Sequence, residues 1–267
     1  MRLWELRTRI FVFFVIFFFF GSAVYGYCQS EIFQSPSGKG KTLVYTAIRF
    51  GVPILKATIK IEDGFVDQGK SLFQVQAFFH SLHYLGLVFR MNNRFISTVE
   101  AETCSPIRYV KEVDQEGLLI KNKHYLHTFT FDAFHRKVLV ERMEKLEIKE
   151  KEEIILPPDT YDPLSMFARF YLKEDLRPGE DIRMSIYDGV KVRQMLFHSK
   201  KEKVKSKMYG EVEAVCLEST TSFSSFGDKE GGIRIWYIKD REKTPILMEL
   251  DLPIGDVKFE LESIERS

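Results

Sequence analysis

The chain has 267 residues, of which 45% are hydrophobic, and a formal net charge of +1. That length suits one large domain or two small ones. The near-zero charge, with both signs interspersed, lacks the basic surface of nucleic-acid-binding proteins, so a nucleic acid partner is not expected.

An apolar stretch at residues 10–26, IFVFFVIFFFFGSAVYG, dominates the N-terminus. It follows three arginines and ends in small or neutral residues, which is the layout of a secretory signal peptide. Val24 and Gly26 suit the positions three and one before a cleavage site, so residues 1–26 are expected to be removed. This removes three arginines and one glutamate and changes the formal net charge from +1 to −1. We therefore expect an exported protein of the periplasm or cell envelope.

Two alternatives for the N-terminus stay open. In the first, residues 10–26 remain as an uncleaved anchor and provide the membrane contact, although the stretch is shorter than the roughly 20 residues that span a bilayer. In the second, Cys28 carries a lipid, although Tyr27 is bulkier than the residue that lipoprotein processing favours before the cysteine.

Residues 27–41 are polar, contain proline and glycine, and are predicted to form a linker. Their end, SPSGKGKT at residues 35–42, partly resembles a phosphate-binding loop. Ser35 stands where that motif needs glycine, and the motif also needs a preceding strand and a following helix. We interpret the stretch as a linker without a nucleotide site.

Residues 42–264 alternate between apolar and polar side chains, which predicts antiparallel strands with one buried face. Turn-forming Gly and Asp residues separate the runs. We expect a single, mainly β domain of ten to twelve strands, built as one curled antiparallel sheet or an open barrel, with a Greek-key sandwich as the alternative. The charged run at residues 141–153, ERMEKLEIKEKEE, is interpreted as a solvated hairpin or edge extension, because charged edges discourage strand addition.

One helix is predicted near residues 163–172, with Asp162 as its N-cap and Pro163 at its first position. Few of its positions are polar, so we expect it to be buried in the concavity of the sheet or over a barrel end. A polar line of Ser165, Arg169 and Lys173 is expected to mark its exit to solvent or to an acidic partner, and Arg169 is the candidate buried charge. The apolar positions are Leu164, Phe167, Ala168 and Tyr171 on one stripe, and Met166 and Phe170 on another flank.

Three stretches carry a family resemblance: YDPLSMFARFYL at residues 161–172, LRPGEDIRMSIYDGVKV at 176–192 and GGIRIWYIKDREKTPILMELDLPIG at 231–255. They resemble the bacterial exported family called domain of unknown function 3108, over roughly residues 40–264. The resemblance implies an envelope location and one domain, and it carries over no catalytic residue. Its most specific positions are Asp162, Leu164, Ser165, Trp236, Asp240 and Pro245.

The cysteines and histidines are the candidates for a disulfide and for metal ligands. An oxidising compartment permits a disulfide, and Cys104–Cys216 is the favoured pair, with two buried free thiols as the alternative. His80/His83 and His124/His127 are each three apart, so on a strand their side chains point to opposite faces and do not converge on a metal. No catalytic, metal or cofactor site is predicted, and we expect no enzyme.

The leading functional hypothesis is a non-catalytic envelope protein that binds a lipid or a lipoprotein acyl chain in the concave face of its sheet. The alternative is a structural or interaction module with a fully packed core and another envelope protein as its partner. The state of the interior distinguishes the two, because a carrier needs an apolar cavity. The residues expected to line that cavity or core are Leu164, Phe167, Phe170, Tyr171 and Trp236.

Overall fold

The computed structural model describes residues 40–86, 88–117, 122–144, 147–223, 229–240, 242–252 and 255–266. The leader predicted for residues 1–26 lies outside these ranges, as does the linker predicted for residues 27–41 except its last two residues. The cleavage after Gly26, the anchor at residues 10–26 and the lipidation of Cys28 therefore stay predictions.

The described residues form sixteen strands, one α-helix and a single 3₁₀ turn at His83–Leu85. The helix, α1, is Pro163–Leu172. The strands are β1 (Lys41–Arg49), β2 (Val52–Ile61), β3 (Phe65–Asp67), β4 (Lys70–Ser81), β5 (Phe89–Glu100), β6 (Pro106–Gly117), β7 (Lys123–Asp132), β8 (Lys137–Glu144), β9 (Glu147–Ile155), β10 (Thr160–Tyr161), β11 (Asp181–Tyr187), β12 (Val192–Ser206), β13 (Gly210–Phe223), β14 (Lys229–Ile238), β15 (Pro245–Asp251) and β16 (Val257–Arg266).

All sixteen strands belong to one sheet, in the order β10-β11-β12-β13-β14-β15-β16-β1-β2-β4-β5-β6-β7-β8-β9, with β3 beside β4. Neighbours are antiparallel except β10 and β11, and the last strand, β16, pairs with the first, β1, inside the sheet. The sheet is open, because β9 and β10 are its edges.

The sheet is strongly curled. Ten strands separate β7 from β11 in the sheet order, yet the rings of Phe129 and Tyr187 meet edge to face at 5.7 Å. This contact brings the two arms of the sheet together and defines a concave face. Alternation places one side of each strand on that face, as in β5, where Phe95, Ser97 and Val99 are buried.

The expected mainly β, open architecture with one helix is confirmed, but the expected number of ten to twelve strands is wrong. Two strands, β3 and β10, have three and two residues and are too short for alternation to reveal. The charged run forms most of the β8–β9 hairpin at the sheet edge, where every residue of β9 except one is exposed. This confirms the interpretation of that run as an edge hairpin.

α1 spans the predicted residues and contacts β4, β5, β10 and β11. Asp162 is its N-cap and Pro163 is its first residue, as predicted. No helix in the described ranges is both long enough and apolar enough to cross a membrane.

Candidate functional site

The N-cap of α1 fixes the helix to the concave face. The fully buried Asp162 carboxylate accepts hydrogen bonds from the backbone N–H groups of Leu164 (2.8 Å) and Ser165 (3.1 Å) through Oδ1. Its Oδ2 accepts a 2.6 Å hydrogen bond from the Ser97 hydroxyl of β5. Burial raises the pKa of Asp162, and the three donors oppose that rise by stabilising the charged form. The cap therefore joins the helix to the sheet as well as starting it.

The apolar surface of α1 is covered on most sides. Leu164, Phe167, Phe170 and Tyr171 are all buried. The Phe170 ring packs edge to face on Phe197 of β12 at 4.8 Å. Residues predicted to line a cavity or a core therefore come together with strand residues on the concave face.

The predicted polar line of α1 is only partly exposed. Ser165 is completely buried, because its hydroxyl accepts the Asp162 N–H at 2.8 Å as the second half of a capping box. Arg169 is half-buried and has partners, a hydrogen bond to the Tyr161 hydroxyl and an ion pair with Glu174 at 3.1 Å. The expectation of an exit to solvent or to an acidic partner is thus wrong for Ser165. Arg169 has the acidic partner Glu174, and Lys173 is exposed.

Trp236 is buried, but it does not share the concave face with α1. It alternates along β14 with Ile235 and Tyr237, so its ring points to the convex face. There its indole N–H donates to Glu202 Oε2 of β12 at 2.7 Å, and the Arg234 guanidinium lies 5.6 Å from the ring centroid. Trp236 therefore packs among the side chains of the convex face and does not line the concave face.

Large aromatic side chains fill the concave face around α1. Pockets of about 170 and 20 Å³ lie elsewhere in the described part of the chain, and neither is lined by a residue of α1. Sites for drug-sized ligands usually have about 300–1,000 Å³. The fully buried aromatic residues are Tyr45, Phe89, Phe95, Tyr109, Phe129, Phe170, Tyr187, Phe197 and Tyr237.

A buried charge cluster occupies the concave face beyond the helix. Lys111 of β6 is 1% exposed, and its Nζ donates to the backbone oxygen of Asp188 at 3.2 Å. The Asp188 carboxylate accepts from Arg193 Nε at 2.9 Å, with both side chains buried. Desolvation lowers the pKa of Lys111 to about 7, and the charge of Asp188 opposes that shift. This cluster was not predicted from the sequence. Lys111 lies between the buried residues Tyr109 and Val113 on the same face of β6, which is the one local sign of a buried charge.

The two predicted disulfide partners are buried free cysteines, so the predicted bridge is absent. Cys104 lies in the turn between β5 and β6, whereas Cys216 lies in β13, and six strands separate β5 from β13 in the sheet. Burial raises the pKa of Cys104 to about 11 and that of Cys216 to about 12, which keeps both thiols protonated.

The histidine pairs do not assemble into a metal site. His80 and His83 are exposed, while the His124 ring bonds Asp114 at 2.8 Å and the His127 ring packs on Tyr125. The described residues contain no group of three or more His, Cys, Asp or Glu side chains placed to hold a metal ion.

Comparison with known proteins places the chain in a family. A family model described as "Protein of unknown function (DUF3108)" matches residues 41–262. The chain belongs to this family. No curated protein matches the DUF3108 chain.

A solved structure shares the fold of this DUF3108 protein. It is the crystal structure of a beta-barrel-like protein of domain of unknown function DUF1849 from Brucella abortus, with 10% sequence identity and a TM-score of 0.56. The alignment covers 85% of this chain and 98% of the Brucella chain. At this identity the similarity concerns the fold alone.

Proposed function

We propose that this DUF3108 protein is an exported, non-catalytic protein of the cell envelope that acts by binding another protein. The observation that carries the proposal is the filled concave face. α1 and fully buried aromatic rings occupy the space in which a carrier would hold an acyl chain. The leader-like sequence of residues 1–26 supports export.

Lipid carriage is the competing function, and it fits the packing less well. An acyl chain on the concave face would have to displace α1, which would break the hydrogen bond from the Ser97 hydroxyl of β5 to the buried Asp162 carboxylate. Leaving that hydroxyl and that carboxylate without this partner in the interior would cost about 1–3 kcal/mol. A partner that contacts the exterior needs no such rearrangement.

Photocrosslinking in cells tests the proposal. The full chain is expressed with its own leader, and a photoreactive phenylalanine analogue replaces Phe50 or Phe134, which are exposed in turns at opposite ends of the sheet. We expect the exported protein to form a discrete protein adduct from at least one position. Adducts with phospholipid alone, absence of any protein adduct, or retention of the chain in the cytoplasm would contradict the proposal.

A further inference from the structure

The β9 strand is a long free edge. This nine-residue strand pairs with β8 on one side, and no described strand pairs with its other side. The opposite edge of the sheet, β10, has only two residues, and both are buried. A free edge presents backbone N–H and C=O groups, and the chemistry that satisfies both is another extended polypeptide.

A second copy of this chain is a poor occupant of that edge. A symmetric antiparallel pair of β9 strands places the residue on the two-fold axis opposite its own copy. Every residue from Lys149 to Glu153 is charged, so a two-fold axis at any of these five residues sets like charges directly opposite one another. Directly opposed like charges destabilise a strand pair, so the charged run discourages addition of a second copy and favours a segment of complementary charge from a different protein.

A pocket opens where β9 ends. This pocket, called the rim pocket here, has a volume of about 170 Å³. An apolar cavity of about 150 Å³ is enough for a benzene ring, so the rim pocket has room for one large apolar side chain. Its walls include Pro106, Phe131, Ala133, Arg136, Leu156 and Pro157.

The charges next to β9 indicate a basic neighbour. Glu150 and Glu152 share one face of the strand, and both pair with the single guanidinium of Arg142, at 2.8 and 3.1 Å. Two carboxylates around one cation leave an excess negative charge on that face. A lysine or arginine on an added strand would complement it.

We propose that the free edge of β9 and the rim pocket together bind an extended, basic peptide segment of a partner protein by strand addition. The inference rests on the proposed function, because it names the class of partner. Main-chain hydrogen bonds along β9 hold the segment, and the rim pocket takes one large apolar side chain. In the added segment, the apolar residue opposite Leu156 and the basic residue opposite Glu152 are four positions apart and lie on the same face.

A synthetic peptide with this spacing provides the probe. In an antiparallel register, acetyl-Thr-Phe-Thr-Val-Thr-Lys-Thr-amide places its phenylalanine at the rim pocket and its lysine opposite Glu152. Binding is measured by calorimetry on the full mature chain, and backbone amide exchange reports which residues become protected. The Phe-to-Ala peptide is the matched control on the ligand side.

Two protein variants locate the binding. Ala133→Phe fills the rim pocket and should weaken binding about tenfold or more, since a buried phenylalanine ring contributes at least that much. Val66→Phe, on the exposed strand β3, is its control and should leave binding unchanged. Glu152→Gln should weaken binding of the lysine peptide several-fold, with Glu213→Gln, at an exposed position of β13, as the matched control.

Saturable binding that protects the amides of residues 147–155 and is weakened about tenfold or more by Ala133→Phe supports the inference, and binding that Ala133→Phe leaves unchanged contradicts it. Binding without that protection, no saturable binding, or self-association of the chain through β9 overturns it. The outcome is separable from the proposed function. A protein adduct from Phe50, at the end of the sheet away from the rim pocket, would leave that function standing while the peptide assay fails.

Discussion

Lys111 is a charged residue in a place where charge is costly. In the sheet, Lys111 is directly opposite Phe95 of β5 and His127 of β7, and its Nζ donates to the backbone oxygen of Asp188 in the turn after β11. The charged groups around it are Asp188, whose attraction raises its pKa, and Lys123 and Arg142, whose repulsion lowers it. Desolvation is the largest contribution, and together with the two repulsions it outweighs the attraction of Asp188, which makes the ammonium form unfavourable in the folded state.

Stability should therefore rise with pH above 7. The pKa of Lys111 is about 7 in the folded protein, whereas that of an unperturbed lysine is 10.5, so between those pH values the unfolded chain binds the extra proton. The free energy of unfolding should increase by about 2 kcal/mol from pH 7 to pH 9, and this gain ends near pH 10.5. Urea denaturation at the two pH values measures it.

Lys111→Met should be more stable than the wild type at pH 7 and should lose that part of the pH dependence. Lys70→Met, at a mostly exposed position, is the control and should keep the wild-type slope. A Lys111→Met protein less stable than the wild type at both pH values would mean that the contacts of the ammonium group outweigh its desolvation.

The Asp162 cap should contribute strongly to stability. Asp162→Ala removes the acceptor of two helix N–H groups and leaves the buried Ser97 hydroxyl without this partner. We expect a loss of about 2 to 4 kcal/mol in the free energy of unfolding, from the cap and the orphaned hydroxyl together. Asp162→Asn keeps one acceptor oxygen and should lose less. Equal stability of wild type and Asp162→Ala in urea would show that the cap is dispensable.

Local signals decided which residues could be predicted. Asp162 and Pro163 are a local signal for a helix start, so the N-cap of α1 could be predicted from the sequence. The Lys111 cluster joins β6 to a turn 77 residues later, and that contact depends on the curl of the sheet. Trp236 was predicted to be a packed sheet residue of the cavity or core. Its neighbours Ile235 and Tyr237 are also apolar, so alternation does not indicate which face of the sheet its ring occupies.

At the scale of elements, α1 determines whether the concave face is closed. Phe167→Ala should lower the free energy of unfolding by about 3 to 5 kcal/mol, because the ring is 4% exposed and its removal leaves a cavity. Leu172→Ala, at the exposed end of the same helix, should cost less than about 1 kcal/mol. Thermal and urea denaturation compare the two variants. A Phe167→Ala protein of unchanged stability that retains less lipid would instead identify α1 as a lid.

The strands were predictable as a class but not in number or order. Alternation marks strands with one solvated face, which is why the long strands were found. The pairing of β16 with β1 and the parallel β10–β11 contact are long-range features with no local pattern. The rim pocket likewise arises from β6, β7 and the segment after β9, which only the folded sheet brings together.

At the scale of the whole molecule, the sheet order keeps the two described cysteines apart. With Cys28→Ser removing the N-terminal thiol, we expect a thiol reagent to leave Cys104 and Cys216 unmodified in the native protein and to label both after unfolding. Burial and raised pKa values protect them. Reductant should leave the melting temperature unchanged. A reductant-sensitive melting temperature, or fewer than two labelled thiols after unfolding without reductant, would show that the predicted disulfide forms.

The filled concave face is the central claim, and mass spectrometry of the exported protein tests it most directly. The protein is purified from the envelope without detergent, and its organic extract is quantified against the protein. A packed interior predicts lipid well below one molecule per chain, in the wild type and in Leu172→Ala alike. One lipid or acyl chain per protein, retained through purification and released on unfolding, would contradict the account and establish a carrier.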